Sequence, residues 1–277
     1  MNENRTSCAV EAVVNELQEV AMRNRARMRK VLCLPVVCSV CLLAPFLGNS
    51  ATNGVVAVLG SWVAQGYNAG GGMVGGSYAL GYAGLLASRL QPSGWGLTNF
   101  SVTGDSTTNI LNTFDSIVLP ADPDQLLIGL SLSDEGLAGA SDPAAVCETF
   151  RSKLTNIVGR ARANGIYAMA GLCYPHNSYS ASEYASLKSM NLAINTYDLP
   201  SANFLGAVDD GSGHWVQGCN CDSGHPNAYG HKEMFYAIVP SLFDAVRLGK
   251  TGRPSPVGEE DGYALITRDA AVHDPIR

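Results

Sequence analysis

Apolar runs alternate with amphipathic segments through the middle of the chain. Gly54–Gly60 (GVVAVLG) is continuously apolar and closed by glycine, the pattern of a strand buried on both faces. Residues 97–102, 125–132, 166–173 and 204–208 repeat that pattern. Between them, residues 78–90, 106–116, 143–164 and 181–197 read as helices. The third of these puts Val146, Phe150, Leu154, Ile157 and Val158 on one face. Residues 227–247 form a last helix, with Tyr229, Met234, Phe235, Ile238, Val239 and Leu242 as its apolar positions. Five strands alternating with helices predict an α/β fold, a five-stranded parallel sheet with helices on both faces. In such sheets ligands bind at the carboxyl ends of the strands.

The flanks break the pattern. Residues 31–47 are an apolar run without a charge, preceded by Arg23, Arg25, Arg27, Arg29 and Lys30, and the next charge is Arg89. This predicts a signal anchor or signal peptide at residues 31–48, with residues 1–30 as a cytoplasmic juxtamembrane leader. Two prolines and short length favour cleavage, while the long leader favours an anchor. The body is then extracytoplasmic, either secreted or membrane-anchored through residues 31–47 as a type II protein. Residues 249–277 are polar and read as a linker or disordered tail, leaving residues 52–248 as the domain. The net charge of −6 and the absence of a basic run in the body argue against a nucleic-acid partner.

Some compositional features have weak chemical readings. The glycines at 70, 71, 72, 75 and 76 suggest a phosphate cradle but lack its Gly-Lys-Ser/Thr ending, so a loop is expected. Cys147, Cys173, Cys219 and Cys221 in an exported body predict one or two disulfides of undetermined pairing. Cys219 and Cys221 with His225 and His231 are a weaker zinc alternative. The sequon at Asn99 falls on a buried strand and is expected to go unused. Asp209 and Asp210 read as a turn. His176 and Asn177 line a cleft or an exposed loop, and Trp215 is an aromatic platform or a loop anchor.

The sharpest chemical signal is Asp222-Ser-Gly-His225-Pro-Asn. An Asp three residues before a His lets one turn present both side chains on the same side. The carboxylate can then hold the imidazole in one tautomer and stabilise its charged form, as a general base requires. The plainer alternative is a helix cap with an exposed His. Polar residues stand at the other predicted strand ends: Ser61, Gly104 with Asp105, and Asp134. Acyl transfer from an ester needs a nucleophile, a His with its carboxylate, and oxyanion donors. Ser61 sits at a strand-to-helix turn, and the N–H of Gly104 has no side chain to obstruct it.

On these residues the chain resembles the SGNH (GDSL-type) hydrolases, a family of esterases and lipases, over about residues 54–247. The resemblance rests on Gly60-Ser-Trp-Val-Ala-Gln-Gly66, Val102-Thr-Gly104-Asp105, Leu130-Ser-Leu-Ser-Asp134-Glu-Gly136 and Asp222-Ser-Gly-His225-Pro-Asn. It implies a three-layer flavodoxin-like sandwich, with Asp222 and His225 as triad members and Gly104 as an oxyanion donor. It also implies a small-molecule, lipid or glycan ester as substrate, with no metal or organic cofactor. Two positions depart from the family. Its first block, Gly-x-Ser-x-x-x-Gly, places Trp62 at the nucleophile and Ser61 one residue early. Its third block carries Asn where this chain has Asp134, which would repel an oxyanion unless protonated. The expectation is that Ser61 attacks, His225 takes the proton, Asp222 orients the His, and the N–H groups of Ser61 and Gly104 hold the oxyanion. The alternative is a degenerate member that binds an acylated or glycan ligand without hydrolysing it.

Overall fold

β1 (Gly54–Gly60) lies inside a five-stranded parallel sheet, flanked by β4 (Trp95–Asn99) and β5 (Gln125–Gly129). β6 (Tyr167–Gly171) and β7 (Ser201–Ala202) complete the order β4-β1-β5-β6-β7. The structure is a computed structural model that describes residues 53–249. The leader, the apolar run at 31–47 and the tail from residue 250 lie outside the described residues. Among the described residues, no helix is long and apolar enough to cross a membrane.

Alternate residues along the strands face two cores, as the period of a strand requires. Ala57, Leu59, Leu126 and Ile128 pack with Phe114, Phe150, Leu154 and Leu187 on one face. These helical residues come from the region of α3 (Thr107–Thr113) and from α4 (Pro143–Ala163) and α5 (Ala181–Ile194). Val56, Val58 and Leu127 pack on the other face with Tyr82, Leu86, Phe204, Met234 and Phe243. That layer contains α1 (Trp62–Gln65), α2 (Tyr82–Leu90), α6 (Phe204–Val208), α7 (Ala228–Tyr236) and α8 (Ser241–Arg247). The result is the expected three-layer α/β sandwich.

Three elements differ from expectation. Residues 204–208 are helix α6, and the fifth strand is the two-residue β7 before it. Asn203 explains the switch, because its side chain accepts the N–H of Gly206 and caps a helix that buries Phe204 and Val208 one turn apart. The last helix is broken into α7 and α8, with Pro240 at the start of the second. The glycine-rich stretch is a small hairpin of β2 (Met73–Val74) and β3 (Ser77–Tyr78). It lies on the edge of β4, where Asn99 N–H donates to Gly75 O at 2.9 Å.

The expected disulfides are not formed: Cys147, Cys173, Cys219 and Cys221 are all free. Cys219 is buried while Cys221 is exposed. Asn99 is buried, and its amide nitrogen donates to Ala64 O and Ser77 Oγ, leaving it engaged inside the protein.

Candidate active site

The loops after β1, β4, β5 and β6 and the segment before α7 converge at the carboxyl end of the sheet. A separate cavity of about 230 Å³, lined in part by Gln125, Val158, Met169 and Val246, opens at the opposite edge and takes no part in the site.

Asp222 and His225 are brought together as expected. His225 Nδ1 lies 2.9 Å from both Asp222 oxygens. Asp222 Oδ1 also accepts the N–H groups of Gly224 and His225, each at 2.8 Å. Partial burial pushes this carboxyl up, but those N–H groups and the imidazole outweigh it and hold it below the usual carboxylate range. The ionised carboxylate fixes the proton on Nδ1 and leaves Nε2 as the acceptor. Helix capping is done by a different residue, because Asn227 accepts the N–H groups of Tyr229 and Gly230 at the start of α7. Gly224 has a steric role: a Cβ there would lie 3.0 Å from the His176 ring. His176 accepts the Ser178 N–H at Nδ1, and its pKa is lowered by burial and by His225.

Ser61 is placed elsewhere. It is fully buried. Its Oγ accepts the N–H of Gly104 at 3.0 Å, and its hydroxyl is a hydrogen-bonding neighbour of the Asp134 carboxyl. Among the described residues, no hydrogen bond joins Ser61 to His225. The two proposed oxyanion groups are likewise engaged. Gly104, at φ +81° in a left-handed turn, gives its N–H to Ser61. Asp134 Oδ2 accepts the Ser131 N–H at 2.8 Å and the Tyr174 hydroxyl at 3.2 Å. Burial pushes the Asp134 carboxyl up to about 7, against the lowering effect of those donors.

Trp62 stands at the sequence position that the first block of the resemblance gives to the nucleophile. It packs edge-on against His225 with ring centroids 5.6 Å apart, and Tyr67 closes the cluster at 5.0 Å from His225 and 4.6 Å from Trp62. Tyr67 is set by His231, whose Nε2 lies 3.0 Å from the Tyr67 carbonyl. His231 is fully buried, and burial pushes its pKa down to about 4, so it is a neutral structural donor. The zinc alternative finds no geometry to support it: among the described residues no group of three His, Cys, Asp or Glu is placed to hold a metal ion.

Tyr67 contributes to the site without any reading from the sequence, while Asn177, Trp215 and His231, which the sequence offered as a cleft residue, a platform or anchor and a zinc ligand, hold the loops around it. Trp215 is an anchor, with its Nε1 donating to Ser223 O at 3.1 Å inside the Asp222 turn. Its position after the Asp209 and Asp210 turn was the available signal, but its partner could not be read from local spacing.

Comparison with known proteins agrees with this architecture. The profile of the GDSL-like lipase/acylhydrolase family matches residues 46–233. A member of the lipolytic protein G-D-S-L family from Veillonella parvula is 17% identical with a TM-score of 0.54, over 70% of this chain and 98% of that one. TesA is 21% identical with a TM-score of 0.52, over 68% and 97%. A catalytic mutant of Axe2, an acetylxylan esterase from Geobacillus stearothermophilus, is 13% identical with a TM-score of 0.53, over 74% and 99%. No curated protein matches by sequence search.

Proposed function

The chain belongs to the GDSL-like lipase/acylhydrolase family of esterase-type enzymes, and we propose that it hydrolyses esters through His225 acting on water. The carrying observation is the contrast at the site: Ser61 is buried and bonded to Gly104, while Asp222 holds His225 through Nδ1 and no hydrogen bond among the described residues uses Nε2. In this reading Nε2 takes a proton from water as the water oxygen bonds to the ester carbonyl carbon. The tetrahedral intermediate then expels the alcohol, which recovers the proton from Nε2, leaving a carboxylic acid and an alcohol. Asp222 holds the imidazole and stabilises its charge. The oxyanion receives little help, since Gly104 N–H is engaged and Asp134 is a carboxyl group, so turnover is slow. Small acyl esters, including acetylated glycans of the kind named for Axe2, fit this reading.

The test is turnover of a short-chain aryl ester, with mass spectrometry of the intact protein and a fluorophosphonate probe. Slow hydrolysis with no alcohol burst, no acyl-enzyme and no labelling supports the reading. An acyl or phosphonyl adduct on Ser61 overturns it. A second reading, ligand binding without hydrolysis, is favoured by the Trp62 and Tyr67 rings packed against His225. It stands if the parent protein and His225→Ala are equally inert. An extracytoplasmic body remains part of the proposal, motivated by the basic flank before residue 31. Protease added to sealed vesicles should reach the body only from the luminal or outer side, and digestion from the cytoplasmic side would reverse the assignment.

A further inference from the structure

We propose that Trp215 is a positioning residue for the Asp222 and His225 pair, through an indole N–H bond to the turn that carries them; this rests on the general-base reading above. The turn is exposed at Cys221, Asp222 and Ser223. It is braced internally by the two N–H bonds to Asp222 Oδ1 and by the Cys221 N–H to His225 O at 3.0 Å. One of them uses the Gly224 N–H, which shares a planar peptide unit with the Ser223 carbonyl, so whatever holds that carbonyl also holds this bond to Asp222.

Asn68 Nδ2 reaches the turn at Cys221 Sγ, 3.0 Å away, and the backbone attachment is the Ser223 carbonyl, which accepts two donors. One is the backbone N–H of Asn177 at 2.8 Å, from the loop after β6. The other is Trp215 Nε1 at 3.1 Å. The two donors are tied to each other, since Trp215 N–H donates to Asn177 Oδ1 at 2.9 Å. Trp215 is itself well held. It is buried, it lies 5.9 Å from the Tyr174 ring, and it pairs with Asp209 across a short antiparallel bridge.

Shape alone does not require tryptophan at such a position, because another large ring would fill much of the same space. The indole N–H adds a directional bond to Ser223 that a phenyl ring cannot make. A buried indole N–H needs a partner, and here that partner lies within the turn that bears the base. A general base works only when held within hydrogen-bond reach of its proton, so a looser turn costs rate more than substrate binding.

The experiment replaces Trp215 in the full chain in two ways: Trp215→Phe, and an isosteric benzothiophene side chain that keeps the bicycle and lacks the N–H. Two readouts are taken, carboxyl ¹³C titration of Asp222 and steady-state kinetics on an aryl ester. We expect the Asp222 midpoint to rise toward the ordinary carboxylate value and kcat to fall about tenfold with KM unchanged, the loss expected of one hydrogen bond to the turn. A lowered melting temperature with an unmoved Asp222 titration would assign Trp215 a merely structural role and overturn the proposal. The isosteric variant decides if Trp215→Phe fails to fold. If the parent protein shows no hydrolysis, the function proposed above fails separately, and the Asp222 titration still decides this one.

Discussion

Two polar clusters share the carboxyl end of one sheet and have opposite characters. Around Ser61 each group answers another: Gly104 N–H meets Ser61 Oγ, Ser61 meets Asp134, and Asp134 meets Ser131 and Tyr174. Around His225 the hydrogen bonds are as short, but those of the ring all involve Nδ1, and none among the described residues uses Nε2. A buried group whose bonds close on protein partners is part of the framework. A partly exposed group held from one side can act on something else. Here the Ser61 cluster is closed on itself, and the His225 ring is bonded through Nδ1 alone.

Removing His225 breaks the comparison most directly. His225→Ala should lower hydrolysis by about a hundredfold or more, the range of a general base. Circular dichroism should show an unchanged fold, because the ring packs at the surface of the cleft. A folded His225→Ala protein with full turnover would move the chemistry elsewhere.

The buried cluster should answer to pH through stability. Burial raises the Asp134 carboxyl to about 7, so the folded chain binds that proton more tightly than the unfolded chain, whose carboxyl has its usual value near 4. The resulting penalty is absent below about pH 4, grows between pH 4 and 7, and is complete above 7. Asp134→Asn should therefore stabilise the protein by about 4 kcal/mol at pH 8 and very little at pH 4, as read by denaturant unfolding. An equal effect at both values would mean that Asp134 is not held uncharged near neutrality.

Trp62→Ser reopens the closed side. It restores a hydroxyl at the family's nucleophile position and removes the ring packed against His225. We expect fluorophosphonate labelling to appear at residue 62 and turnover to rise about tenfold, with both lost when His225→Ala is added. The gain stays modest because Asp134 and Gly104 remain engaged. Labelling that persists without His225 would show that the new serine is activated by another group.

These two clusters were not equally legible in the sequence. Asp222 and His225 are three residues apart, so the turn that joins them is local and the spacing carries the geometry. The fate of Ser61 depends on Gly104 and Asp134, which lie 43 and 73 positions away in sequence and meet it only after the sheet forms. The same division appears in the fold. The strands at 54, 125 and 166 could be read because strands buried on both faces are continuous apolar runs. Residues 204–208 are also apolar, and a run of five does not distinguish a strand from a short buried helix. The deciding feature was the Asn203 cap. Pro240 was the corresponding signal for the break in the last helix.

The smallest effect sharpens the comparison furthest. If Ser61 belongs to the framework, Ser61→Ala should leave kcat and KM within about threefold of the parent values, since no reacting atom is lost. Its cost should instead appear in stability. Gly104, itself exposed, would lose an acceptor that water can replace, and the buried Asp134 would lose a hydrogen-bonding neighbour, a cost of about 1 kcal/mol. The same substitution in a working serine hydrolase would do the reverse, abolishing turnover while sparing the fold. Measuring turnover and unfolding on one preparation therefore separates the two assignments. Loss of turnover in a stable Ser61→Ala protein would return Ser61 to the nucleophile's role, and the hydrogen bond to Gly104 would then have to open during each catalytic cycle.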